Sequence, residues 1–165
     1  ADGAARSRRD DGLLDRVDRA LSQSGLPPDR LTLEVTESVI LQDVERGERL
    51  LSALRERGIR VCMDDFGTGY ASLSYLHRFR VDSVKIDLSF VRGLTDPDGG
   101  AEIVKTILTL SRTLGIDAIA EGIETPAQLA RLRALGCTKG QGFLFSAPVE
   151  AAGAETLLTH PLACP

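Results

Sequence analysis

Tryptophan is absent from this 165-residue chain, and aromatic residues make up only 4% of it. A surface that stacks the bases of a nucleic-acid polymer needs exposed rings and basic charge. Here 20 Lys and Arg stand against 24 Asp and Glu, the net charge is −4, and no basic block occurs. No nucleic-acid polymer is therefore expected as a partner. Cysteine is scarce too: Cys62, Cys137 and Cys164 are odd in number and far apart. That spacing suits neither a disulfide framework nor a zinc site, and reduced thiols fit the cytoplasm, the expected location. Histidine occurs only twice, so any metal site has to be built from carboxylates. No apolar run approaches the ~20 residues of a membrane helix. The opening ADGAARSRRDDG lacks the apolar core of a secretory signal. Length excludes one more class, because a complete (β/α)8 barrel usually takes about 250 residues.

What is present is an ordinary globular balance, 42% hydrophobic and 27% charged. Residues 1–12 show no periodicity and read as an irregular tail. Leu13, Leu14, Val17, Ala20 and Leu21 recur at helical spacing until Gly25 and Pro27-Pro28. From there strand and helix patterns alternate. Strands are expected at 31–37 (LTLEVTE), 59–66 (IRVCMDDF), 82–87 (DSVKID), 116–123 (IDAIAEGI) and 140–145 (GQGFLF). Helices are expected at 44–57, near 72–79, at 100–114, in TPAQLARLRALG and at 149–158, with an irregular tail over 159–165. Such alternation with short connections implies an α/β fold with parallel strands.

Charged residues gather at the ends of those strands. Glu34 and Glu37 end the first, Asp64 and Asp65 the second, Lys85 and Asp87 the third, Glu121 and Glu124 the fourth, and Gln141 lies on the fifth. A single acidic residue there is ordinarily a helix cap or a solvated loop residue. Successive parallel strands, however, share one C-terminal edge, where α/β proteins build their sites. In VKID, Lys85 and Asp87 share a face of the strand. Asp65 reaches the same edge as Asp64 if the Gly67-Thr68-Gly69 turn frees the backbone. Carboxylates packed this closely repel one another unless cations neutralise them. Oxygen donors without His or Cys suit Mg²⁺ or Mn²⁺, and two such ions are the usual apparatus of phosphoester hydrolysis. Lys85 would orient the water, neutralise a phosphate oxygen, or pair with a neighbouring carboxylate. Asp65-Phe66-Gly67 spells the kinase DFG, but the other kinase motifs are missing.

LEVTES, MDDFGTGYASLSYL, VDSVKIDLSFV, IAEGIET and KGQGFLFS closely resemble the EAL-domain family of bacterial cyclic-di-GMP phosphodiesterases, in the family's order and spacing, over residues 13–158. The resemblance implies a modified TIM barrel with two Mg²⁺ or Mn²⁺ ions that opens cyclic-di-GMP to linear pGpG. It implies metal ligation by Glu34, Asp64, Asp65, Asp87 and Glu121. Catalytic roles fall to Lys85 and Glu121, which compete for the part of general base. Gln141 would hold a metal-bound water, Glu37 would brace the DDFGTGYASL loop, and Glu124 would stand at the site edge. Through that loop (Asp64 to Leu73) it also implies a homodimer. The Glu-Ala-Leu tripeptide itself does not occur in the chain. The family's asparagine ligand would align near Asp2, in a context unlike a strand. The expectation is therefore a partial barrel, the last five βα units, lacking two metal ligands and impaired as an enzyme on its own. The alternatives are an inactive module that binds cyclic-di-GMP or a protein partner, and a poorly folding remnant.

Overall fold

The computed structural model describes residues 2–68, 76, 78–95 and 100–159, with the backbone alone for 2–11. Most of the helix expected near 72–79, of which 76, 78 and 79 are described and helical, and the tail after 159 lie outside these residues. Two compact units are formed, Ala1–Asp64 with Gly69–Asp82 and Asp65–Thr68 with Ser83–Pro165.

The first unit opens with helix α1 (Asp2–Ser24). The expected irregular tail is thus helical from Asp2. Ala4, Ala5, Arg6, Arg8 and Arg9 are strong helix formers, and no proline interrupts them. Strand β1 (Thr32–Thr36) lies parallel to β2 (Arg60–Phe66), with Glu34 opposite Cys62 and Thr36 opposite Asp64. Between them run α2 (Glu37–Leu41) and α3 (Val44–Glu56). Asp43 caps α3 by accepting the Arg46 backbone N–H at 3.1 Å. Val17, Ile40, Leu51, Leu54, Val61 and Met63 are buried here. At the surface Asp18 takes a two-pronged pair from Arg57, at 2.9 and 3.1 Å, tying α1 to the end of α3. That side-chain hydrogen bond holds the Asp18 carboxyl below its usual range.

The second unit carries β3 (Ser83–Ile86), β4 (Asp117–Ala120) and β5 (Lys139–Gly140), paired in parallel in that order. Helix α4 (Leu88–Arg92) follows β3, α5 (Ala101–Leu114) crosses to β4, and α6 (Pro126–Ala134) crosses to β5. The apolar stripe of α5 buries Val104, Ile107 and Leu108, and Gly115 ends it at φ 69°. Thr125 and Gln128 form a reciprocal capping box on α6, with Pro126 in its first turn. Every residue of β3 is buried, as a parallel strand covered on both faces requires. Helix α7 (Ala151–Thr159) buries none of its residues.

One expected strand is cut short. GQGFLF leaves the ladder after Gly140 and turns, with the Phe145 N–H donating to the Gly142 carbonyl at 3.0 Å. Gly142 is pressed onto Ile123 so closely that a Cβ there would collide with that residue's backbone N and O. The segment is thus shaped by this backbone approach rather than by strand pairing.

Candidate active site

The parallel order of β3, β4 and β5 brings their C-terminal ends to one edge, and the backbone carries the pairing one residue further. The Glu121 N–H donates to the Ile86 carbonyl at 3.2 Å, and the Gln141 N–H to the Ala120 carbonyl at 2.8 Å. Glu121 and Gln141 thus stand just past the ends of their strands, beside the last turn of β3.

There the side chains form a knot. Lys85 Nζ lies 2.7 Å from Glu121 Oε1, and Gln141 Nε2 donates to the same oxygen at 2.7 Å. The Lys85 side chain is 7% exposed and that of Glu121 15%, so the pair is nearly out of water and held by charge-assisted bonds. An Asp65 carboxylate oxygen and one of Glu121 lie within 4.8 Å of each other. Asp65 has φ 55° and Gly67 φ 94°. The aspartate itself takes a left-handed step that few residues other than glycine adopt. Its carbonyl accepts the Thr68 hydroxyl at 2.8 Å. Asp64 precedes it by one peptide bond near the end of β2. Two carboxylates and one amide offer hard oxygen donors, and with the one lysine beside them the net charge stays negative. Such a set fits a divalent cation of the Mg²⁺ or Mn²⁺ kind.

The other expected residues are placed differently. Asp87 leaves the strand and caps α4, its Oδ1 accepting the Ser89 N–H at 2.9 Å and the Ser89 hydroxyl. Glu124 pairs at 3.1 Å with Arg92 on the exposed surface, so it joins α4 to the loop after β4 rather than the Lys85 cluster. In the first unit, Glu34 is an exposed residue of β1. Glu37 does not end that strand but begins α2, where it is 2% exposed. Sequence reasoning passed over Gly122 and Phe143. With Leu88, Glu121, Gln141 and Pro148 they line an open depression of about 380 Å³. Gly122, at φ 65°, leaves no room for a side chain, because a Cβ would sit 2.8 Å from that of Leu88.

The family model described as EAL domain matches residues 4–148. The chain belongs to the EAL-domain family. The cyclic di-GMP phosphodiesterase NbdA of Pseudomonas aeruginosa is 42% identical over 146 residues, 88% of this chain and 19% of NbdA. The solved PaMucR phosphodiesterase in complex with c-di-GMP is 43% identical, with a TM-score of 0.83 over 87% of this chain and 58% of that one. The Klebsiella pneumoniae BlrP1 manganese/cy-diGMP complex at pH 6 is 38% identical, with a TM-score of 0.75 over 82% and 34%. This EAL domain spans about a fifth of the length of the curated relatives it matches, 21% and 19% for two of them. The α/β fold with parallel strands is the one expected from its motifs. No helix among the described residues is long and apolar enough to cross a membrane.

Proposed function

We propose that this EAL domain is a cyclic-di-GMP phosphodiesterase, opening the cyclic dinucleotide to linear pGpG in bacterial second-messenger signalling in the cytoplasm. The observation that carries this reading is the convergence of buried Lys85 and of Gln141 on Glu121, with the Asp65 carboxylate beside it. Glu34, Asp64, Asp65, Asp87 and Glu121 are the proposed ligands of two Mg²⁺ or Mn²⁺ ions. When bound, these ions supply Lewis-acid polarisation of the phosphate and lower the pKa of water.

The geometry supports a part for each of Lys85, Glu121 and Gln141. Lys85 and Gln141 converge on one oxygen of Glu121 and so fix the orientation of its carboxylate. Glu121 receives a proton from the attacking water, Lys85 neutralising charge beside it. The water oxygen bonds to phosphorus, the bond to the ribose 3′ oxygen breaks, and that oxygen takes a proton from solvent while Glu121 returns its own to solvent. General-base assistance of this kind contributes about 10²–10⁴ in rate. Glu37 would brace the loop from Asp64 to Leu73, residues 69–73 of which lie outside those described, and a homodimer through that loop is part of the proposal.

The test is to incubate the protein with Mn²⁺ and cyclic-di-GMP and resolve the products by chromatography. Linear pGpG is expected, its formation stopped by EDTA and slowed at least ~100-fold in Glu121→Gln. Calorimetric binding in Ca²⁺ without any product in Mn²⁺ would make this a nucleotide-binding module instead. Neither binding nor product would overturn the reading altogether.

A further inference from the structure

The carboxylates of Asp65 and Glu121 stand on separate segments, one at the end of β2 and one just past β4, yet an oxygen of each lies within 4.8 Å of the other. Like charges at such a separation repel, so the backbone beneath them has to hold the spacing. Each segment carries a glycine in the left-handed region close to its acid. Gly67, at φ 94°, follows Asp65 by two residues, and Gly122, at φ 65°, follows Glu121 directly.

Both glycines are pressed onto the same short helix. A Cβ on Gly122 would sit 2.8 Å from Leu88 Cβ and 3.6 Å from Leu88 Cα. A Cβ on Gly67 would sit 3.1 Å from the Phe90 ring and 3.4 Å from Ile107 Cδ1. Leu88 and Phe90 are two residues apart on α4, about 200° around a helix, so they face opposite sides and reach different segments. The helix is itself held in place. Asp87 caps its start, Val91 is buried, and a Cβ on Gly100 would come within 3.0 Å of the Phe90 carbonyl. Helix α4 is therefore a spacer with a carboxylate-bearing segment seated on each side.

We infer that Leu88 and Phe90 are positioning residues that set the separation of the Asp65 and Glu121 carboxylates for a divalent cation, which rests on the metal-dependent phosphodiesterase reading above. Neither side chain has a donor atom, so both act through the segments they seat. Groups that orient metal ligands without touching the ion are worth about 10- to 100-fold in affinity. Mg²⁺ demands near-ideal octahedral geometry, whereas Ca²⁺ accepts a flexible arrangement of oxygens. A spacer that fixes the donors therefore matters more for Mg²⁺ than for Ca²⁺.

The experiment titrates the protein calorimetrically with Mg²⁺ and, separately, with Ca²⁺, in the absence of nucleotide. In Leu88→Ala and in Phe90→Ala the Kd for Mg²⁺ should rise about tenfold or more, and that for Ca²⁺ by less than about threefold. Urea unfolding confirms that each variant is folded. Leu88 is 38% exposed, so Leu88→Ala carries the test alone if Phe90→Ala does not fold. Leu132→Ala, a truncation of a buried residue on α6, should leave the ratio of the two Kd values at the wild-type level. An unchanged ratio in either folded variant overturns the proposal, whether both affinities hold or both weaken together. An equal change of ratio in Leu132→Ala overturns it as well. Each of these results leaves the phosphodiesterase reading standing. Wild-type protein that binds neither ion and forms no pGpG overturns that reading and the spacer with it.

Discussion

Replacing Lys85 by methionine removes a charge from a nearly dry site while keeping most of the side-chain volume. Lys85 Nζ and Glu121 Oε1 are 2.7 Å apart, with side chains 7% and 15% exposed. At an effective dielectric of about 20 the gross attraction is about 6 kcal/mol, most of it offset by the desolvation of both ions. The asymmetry of the substitution decides the outcome. Lys85→Met leaves the Glu121 carboxylate in place with Gln141 still donating to it, and orphaning one member of a buried pair costs about 3–5 kcal/mol. The surviving amide bond puts the expectation at the lower end, about 3 kcal/mol, or roughly 6–12 °C in melting temperature for a chain of this size. Urea unfolding at pH 7 in EDTA measures it, and an unchanged denaturant slope assigns the shift to stability. Glu121→Gln and the double variant complete a cycle. Once Glu121 is neutral, losing Lys85 strands no charge, so the double variant should be more stable than the sum of the singles predicts by ~1.5 kcal/mol or more. A cost below about 1 kcal/mol for Lys85→Met, or costs that add within ~0.5 kcal/mol, would show that the pair is not the buried unit this reasoning requires.

Gly142→Ala places a Cβ onto the Ile123 backbone. It should lower stability by more than ~2 kcal/mol through forced backbone movement and displace Gln141 with it; a urea midpoint equal to wild type would contradict the close approach. Arg57 holds the Asp18 carboxyl below its usual range, chiefly through their hydrogen bond. A depressed folded pKa means that the pair's contribution is present above the unfolded value, near pH ~4, and is lost as pH falls through the folded one. Asp18→Asn should therefore flatten the acid limb of the stability–pH curve below about pH 4, and coincident acid limbs in the two proteins would refute the coupling.

The parts of this fold that can be read along the chain are those set by neighbours along the chain. The stripe Val104, Ile107, Leu108 repeats at helical spacing and stops at Gly115, whose φ of 69° ends α5 where expected. Thr125, Pro126 and Gln128 announce the start of α6. The strand patterns follow from the same local signals, and the common C-terminal edge of β3, β4 and β5 is enough to single out Lys85, Glu121 and Gln141 together. Helices of five residues, α2 and α4, are shorter than any periodicity can mark. Asp87 illustrates a segment with two readings, since the same DLS sequence suits a ligand and a helix cap, and its Oδ1 bonds supply the cap.

Other features depend on partners far away in sequence. Glu124 stands in the family motif with the other acidic residues, yet Arg92, 32 positions earlier, draws it to the surface. GQGFLF alternates like a strand, but Ile123 presses on Gly142 and folds the segment away from the ladder. The same approach leaves Phe143 exposed, so the misread strand and the overlooked aromatic have one physical cause. Gln141 is the reverse case. It reaches Glu121 across 20 positions because its own backbone N–H extends the β4–β5 pairing by one residue past the end of the strand. Where a side chain's role is delivered by the ladder, strand reading is sufficient. Where it is delivered by a loop pressed against a backbone, the three-dimensional contact has to be seen first.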